Sequence, residues 1–237
     1  MDDQSEIIVL PGDPALRVQI RASARARQMS LRVSGLDGRI TLSLPRGFAR
    51  QHALAFLSEK ERWLRAAVDR APGRVAVAPG SEVPVDGRTR QVTPAHTRRV
   101  MLDGDRLIVP DQDIAAATGP RVAAFLKTRA RDRLVPMAEH YAAALGRRVA
   151  AVSLRDTRSR WGSCTAQGRL MFCWRLAMAP PEVQHYVAAH EAAHLIHMNH
   201  SRAYWASVAQ IMPDYADHRA WLRHHGADLH AYRFDRV

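Results

Sequence analysis

The sequence predicts an α+β fold, strand-rich in its first half and helical in its second. Apolar residues alternate with a period of two in short runs before residue 110, separated by Gly, Pro and Asp punctuation. From residue 120 they recur at helical spacing, interrupted by two further strand-like runs. A third observation locates the chemistry: His190-Glu191-Ala192-Ala193-His194 lies in the helical half, behind a helix-start signal. The change of period places a boundary at residues 115–119. This gives a β-rich N-terminal subdomain with one helix over 1–118 and a second domain over 119–237.

In order along the chain, residues 16–20 and 29–33 alternate, Gly35-Leu36-Asp37-Gly38 supplies a turn, and residues 40–44 alternate again before Pro45. A helix is predicted over 49–69, with Leu54, Leu57, Leu64 and Val68 on one stripe, and Ala71-Pro72-Gly73 ends it. Shorter strands follow, turned at Asp86-Gly87 and Asp103-Gly104 and closing at 107–110. No internal repeat of solenoid length is present. Beyond Pro120, Val122, Leu126, Ala130 and Leu134, then Ala138, Tyr141 and Leu145, form an apolar helical stripe that Pro136 should kink or split. Strands are predicted over 149–158 and 169–178, joined by Ala166-Gln167-Gly168. In the second, Leu170, Phe172, Trp174 and Leu176 share a face. Pro180-Pro181-Glu182 opens the next helix, with proline in the first turn and an acid near the positive end of the dipole. A helix carrying Tyr204, Trp205, Val208 and Ile211 stops at Pro213. The last runs from Asp214, a capping residue, to Gly226, expected at the left-handed C′ position.

On the helix that follows Pro181, His190 and His194 stand one turn apart on one face. Two neutral imidazoles at that spacing can hold one metal ion, and Glu191, about 100° around the axis, can reach a water on it. This is the layout of a zinc hydrolase with a glutamate general base, one Zn2+ per chain, acting on a peptide or protein. With 12 His and seven Glu in 237 residues, the pattern arises by chance with a probability of about 2%. Three candidates stand for the third ligand. His197 continues the stripe. His200 follows Asn199, where a turn could fold it back onto the metal. The offsets 190, 194 and 200 match H-E-x-x-H-x-x-G-x-x-H, although His197 occupies the place of the glycine. A carboxylate from Asp214, Asp217, Asp228 or Asp235 is the third, since no Glu follows Glu191. His200 is favoured.

Taken in order, Arg160-Trp161-Gly162-Ser163-Cys164, Pro180-Pro181, the H-E-x-x-H helix and Asn199-His200-Ser201 resemble the YgjP-like metallopeptidase domain family, related to the SprT-like and WLM zinc peptidases. The segment 21–27, the hairpin after it, Pro45 and the Trp63 helix resemble that family's β-rich N-terminal part. The resemblance implies a zincin-like catalytic half, zinc on His190, His194 and His200, and Glu191 as catalytic acid and base. Ala192 stands where the family often has leucine, a change of packing rather than chemistry. Residues 160–164 are a candidate substrate-binding loop, and Arg160, Trp161, His197 and Tyr204 are candidate substrate-binding residues. Arg160, His197 and Tyr204 are candidates for a second donor to the oxyanion. In zincin-like folds an edge strand can pair with an extended peptide; residues 170–176 or their neighbouring strand would serve.

Hydrophobic content of 47% with 24% charged residues is that of an ordinary globular chain. No apolar run is long enough to cross a membrane, and the start Met1-Asp2-Asp3-Gln4-Ser5-Glu6 is unlike a secretory signal. Cys164 and Cys173 do not make a disulfide framework, so a cytoplasmic location is expected. The formal charge of +12 suits an anionic partner, a nucleotide or nucleic acid. All but two of the 35 basic residues are arginine, so compositional bias explains the charge equally well. Two other functions fit less well. A metal-dependent nucleotide pyrophosphatase or phosphohydrolase lacks a carboxylate cluster for Mg2+ and a phosphate-cradling glycine loop. A DNA-associated protein either gives Glu191 no purpose or uses the site on nucleic-acid-bound proteins. The histidines at 218, 224, 225 and 230 read as a solvated tail.

Overall fold

The computed structural model describes residues 5–24, 26–35, 38–69 and 73–235. Leu36 and Asp37 of the expected turn, Ala71 and Pro72 of the expected helix stop, and the first four residues of the acidic start lie outside these. The chain divides into two units, Met1–Arg74 and Val75–Val237.

The first unit is a four-stranded sheet with two helices. Strands β1 (Ser5–Leu10), β2 (Leu16–Ser23), β3 (Ser30–Val33) and β4 (Ile40–Pro45) take the order β1-β2-β4-β3. Leu16, Val18 and Ile20 of β2 and Ile40, Leu42 and Leu44 of β4 are buried, as their alternation requires. Strand β1 is absent from the expected elements, because Ile7-Ile8-Val9-Leu10 is apolar throughout and shows no period. In the sheet Ile8 and Leu10 are buried while Ile7 and Val9 are exposed. The single helix expected over 49–69 is two, α1 (Arg50–Glu59) and α2 (Glu61–Asp69), broken where Lys60 leaves helical geometry at φ −92° and ψ 3°. Leu57 and Leu64 are buried in the core, whereas Leu54 is exposed.

The second unit opens with β5 (Val75–Ala76) and continues through β6 (Glu82–Val85), β7 (Arg88–Ala95), β8 (Met101–Asp103) and β9 (Arg106–Pro110), the last four ordered β6-β7-β9-β8. The long helix α3 (Ile114–Ala144) follows and runs unsplit through Pro136. A second sheet is built from β10 (Ala151–Arg155), β11 (Gly162–Cys164) and β12 (Arg169–Cys173), in the order β10-β12-β11. Then come α4 (Pro181–Ala193), α5 (Arg202–Ile211), α6 (Tyr215–His225) and β13 (Tyr232–Arg233), which pairs in parallel with β5.

Three expectations are corrected by these elements. The boundary at 115–119 does not exist, because Val83, Val85, Val92 and Leu107 share one core with Leu126, Leu134 and Phe172. A change of hydrophobic period marks a change of element, and both kinds of element bury the same core. The strand expected over 169–178 ends at Cys173, and Trp174–Met178 is a 3-10 turn. Trp174, Leu176, Ala177 and Met178 are all buried, so the run carries no two-faced alternation. Residues 160–164, expected as a loop, contain β11, the edge strand beside β12.

The site helix α4 is fixed at its start by a polar network. Asp86 and Gly87 take positive φ in a two-residue hairpin turn, which demands such residues. The backbone N–H groups of Asp86 and Gly87 donate to the carbonyls of Ala177 and Met178. The Asp86 carboxylate accepts from Arg129 and lies 3.5 Å from Arg133. Buried Gln184 on α4 accepts from Arg133 at 3.0 Å and donates to the Ala179 carbonyl at 2.8 Å. Hairpin, α3 and α4 are thereby held together where α4 begins. Among the described residues no helix is long and apolar enough to cross a membrane.

Candidate metal centre

Helix α4 is buried along most of its length, with Val183, Tyr186, Val187, Ala188, Ala189, Ala192 and Ala193 all in the core. Its buried alanines let neighbouring elements approach closely. The helix stops at Ala193, with His194 as its C-cap, earlier than the turn expected at Asn199. His197 therefore does not continue the stripe. Its backbone carbonyl accepts from His194 Nδ1 at 2.9 Å. A carbonyl only accepts, so Nδ1 carries the proton and Nε2 of His194 is left free to ligate.

The chain then returns His200 to the helix. Asn199 Oδ1 accepts from Ser201 N at 3.2 Å, and Ser201 Oγ caps α5 by accepting from Tyr204 N at 3.3 Å. This turn brings His200 Nε2 to 3.2 Å from His190 Nε2. One ligand atom each from His190, His194 and His200 falls within 4.8 Å of the others. Tyr204 is fully buried behind the three rings, its centroid 5.3, 4.5 and 4.8 Å from theirs, and its hydroxyl donates to the His190 carbonyl at 3.0 Å. Trp205 stacks on the outer face of His200.

Glu191 is 4% exposed and its Oε2 has no hydrogen-bond partner. Burial pushes its carboxyl up to about 8, and the Arg160 guanidinium pulls in the opposite direction. Burial, with His194 and His200 alongside, holds His190 down to about 3, so its ring is neutral at physiological pH, the form that binds metal. An open cleft of about 460 Å3 gives access, with Arg160, Trp161 and Gly162 on one side and Met198 and Leu222 among its apolar lining. Burial raises the Cys164 thiol to about 11, with Glu191 adding to the shift, so it is no ready thiolate; it and Cys173 are both free.

Of the predicted site residues, the structure brings His190, Glu191, His194, His200, Arg160 and Trp161 to one cleft. It does not bring His197 or Tyr204 there. The first contributes a carbonyl behind the site, and the second is enclosed with its hydroxyl committed. No aspartate joins the histidine cluster among the described residues. Gly162 gains a role of its own that the sequence pattern does not announce. A Cβ at this position would lie 2.4 Å from Glu191 Oε1, so only glycine lets β11 pass so close to the carboxyl. A glycine inside a strand is itself a signal of such an approach. Gly226 is not left-handed (φ −60°); it is small because a Cβ there would meet the Leu222 carbonyl at 2.4 Å and the Trp161 ring at 3.1 Å. Three of the four histidines expected in a solvated tail have partners: His218 is 3.1 Å from Asp214, His225 is 3.7 Å from Asp228, and the His230 ring lies 4.9 Å from that of Trp161.

Three convergent imidazoles beside a buried carboxylate, on an α+β scaffold, are the makings of a metallohydrolase centre. A family model described as YgjP-like, metallopeptidase domain, matches residues 27–225, and the chain belongs to that family. Among curated proteins none matches the chain. A solved structure, the metallopeptidase zymogen abylysin of Pyrococcus abyssi, is similar at 20% identity with a TM-score of 0.35, over 38% of this chain and 93% of that one. A likeness this slight says nothing about the chemistry of the present chain.

Proposed function

We propose that the chain is a zinc-dependent peptidase, with one Zn2+ held by His190, His194 and His200 and with Glu191 as acid and base. The observation that carries the reading is the convergence of three imidazoles beside a buried, unpartnered carboxylate oxygen. The donor set fits the ion. His190 Nε2 and His200 Nε2 are 3.2 Å apart and the three ligand atoms lie within 4.8 Å of one another, so these residues would hold one small cation between them. All-nitrogen ligation suits zinc. Zinc bound there supplies Lewis acidity, polarising a scissile carbonyl and acidifying water.

The chain's own residues do the rest. In its ionised form, Glu191 accepts a proton from water at its unpartnered Oε2 and delivers it to the leaving nitrogen. Gly162 keeps the carboxyl in place by leaving it room. The His197 carbonyl orients the His194 ring, while Tyr204 packs its ring against all three imidazoles and ties the His190 backbone with its hydroxyl. Arg160 offers a guanidinium at the rim and Trp161 a flat apolar wall, which leaves substrate contact to these two of the four residues first considered. As an edge strand, β11 offers main-chain pairing to an extended peptide. The free thiols of Cys164 and Cys173 suit a reducing, cytoplasmic setting.

The test is turnover of a quenched-fluorescence peptide library by the wild type and Glu191→Gln. The variant should keep its zinc and lose activity by about a thousandfold or more. An undiminished rate would remove Glu191 from the mechanism. Nucleoside triphosphates are assayed in parallel, and hydrolysis of these without peptides would replace the reading with a phosphohydrolase.

A further inference from the structure

The sheet of the first unit has one face packed on α1 and α2 and one face open. Alternation puts Ile8, Leu10, Leu16, Val18, Ile20, Ile40, Leu42 and Leu44 inside. Register places Ile7 opposite Gln19, Gln19 opposite Thr41, and Thr41 opposite Arg32, in one row across all four strands of the other face. Val9 faces Arg17 in the next row, and Arg21 faces Ser43, which faces Ser30, in the row on the other side. Arg17, Arg21 and Arg32 are exposed. None of them is in an ion pair among the described residues, whereas Glu6, Glu59 and Glu61 are taken by Arg50, Lys60 and Arg65. No acidic side chain from the four strands falls on this face.

We propose that this open face binds nucleic acid through its phosphate backbone. Among the described residues of the four strands the charge on this face is of one sign, and the remaining positions are mainly hydroxyls and an amide that can donate to phosphate and sugar oxygens. Arginine presents a planar fork that matches phosphate. Arg17 and Arg21 lie four residues apart on one strand, about 13 Å, which equals the axial rise of about four nucleotides of a duplex. The four strands carry no aromatic side chain, so the face has no platform for stacking bases, and binding is independent of sequence. Strands β1 and β2, which carry two of the three arginines, precede the residues matched to the peptidase family. Binding at this face is independent of the metal centre.

The experiment is fluorescence anisotropy of labelled 20-nucleotide DNA, single-stranded and duplex, and of the matching RNA, titrated with the full chain from 50 to 300 mM salt. Replacing Arg17, Arg21 and Arg32 together by Gln should weaken binding at least tenfold, with a ceiling of about a hundredfold at 0.1 M salt, and flatten the salt slope by about 2. The Arg→Lys triple should stay within about fivefold of wild type, which separates lost charge from a damaged sheet. A control removing the same charge elsewhere, from Lys127, Arg131 and Arg155, should cost less than threefold. The proposal is overturned if the Gln triple loses less than threefold, if the control loses as much, or if the Lys triple falls with the Gln triple. It is also overturned if wild type binds none of the nucleic acids while binding vesicles of anionic lipid.

Discussion

Replacing Gly162 by alanine is expected to silence the site while leaving the metal in place. Strand β11 passes so close to α4 that a Cβ at 162 would stand 2.4 Å from Glu191 Oε1, 2.6 Å from Cγ and 2.7 Å from Cδ. Ordinary contact begins at 3.4 Å, so the carboxyl must retreat by about 1 Å. The Glu191 side chain is flexible but enclosed, and overpacking of this kind costs about 1–3 kcal/mol. In a unit of this size that lowers the melting temperature by a few degrees to about ten. A displacement of ~1 Å at a reacting group costs about a hundredfold in rate. None of the three histidines is touched, so zinc content should be unchanged. The assay is peptide turnover beside zinc content and a thermal melt on the same preparation. A Gly162→Ala protein with zinc bound and a rate within threefold of wild type would refute the idea that the position of Glu191 depends on this glycine.

Three further outcomes are expected. Tyr204→Phe removes the donor to the His190 carbonyl but keeps the ring; stability should fall by about 1 kcal/mol in chemical denaturation, with turnover within a fewfold, whereas a loss above a hundredfold would return Tyr204 to the chemistry. Asp86→Ala leaves Arg129 and Arg133, each about 30% exposed, without their shared carboxylate. Allowing for that exposure, it should destabilise by about 2–4 kcal/mol, and an unchanged melt would show the network to be dispensable. In zinc-free protein, Glu191 is protonated up to about pH 8 when folded, against an ordinary value of 4.5. The folded state therefore binds the extra proton, and stability falls as pH rises from 4.5 towards 8. Glu191→Gln should abolish that penalty, at most about 5 kcal/mol, so the variant should gain on wild type with rising pH, and parallel pH profiles would contradict the shift.

Much of this is legible in the sequence, and the exceptions share causes. The alternating runs of β2 and β4 and the turn at Asp86-Gly87 can be read from sequence because each is decided locally, by period and by turn chemistry. Strand β11 escapes such reading because Gly162-Ser163-Cys164 has no pattern of its own and becomes a strand only by pairing with β12. Strand β1 escapes it because four successive apolar residues conceal which two face the core. The histidine spacing announces the candidate metal site, but the helix stop at Ala193 does not announce itself. In sequence a stripe through His197 looks as continuous as the one through His194. Tyr204 looks like a donor to the cleft because sequence gives no sign of depth. Only the fold puts its hydroxyl on a backbone carbonyl behind the rings. The boundary at 115–119 fails because a core is shared across elements of different period.

The assignment of His190, His194 and His200 as the ligands of one zinc is tested most directly by metal stoichiometry under native mass spectrometry, on wild type, His200→Ala and His197→Ala side by side. About one zinc per chain is predicted in wild type and in His197→Ala, and close to none in His200→Ala. Zinc lost from His197→Ala but kept by His200→Ala, or no zinc in wild type after the ion is supplied, would contradict the assignment.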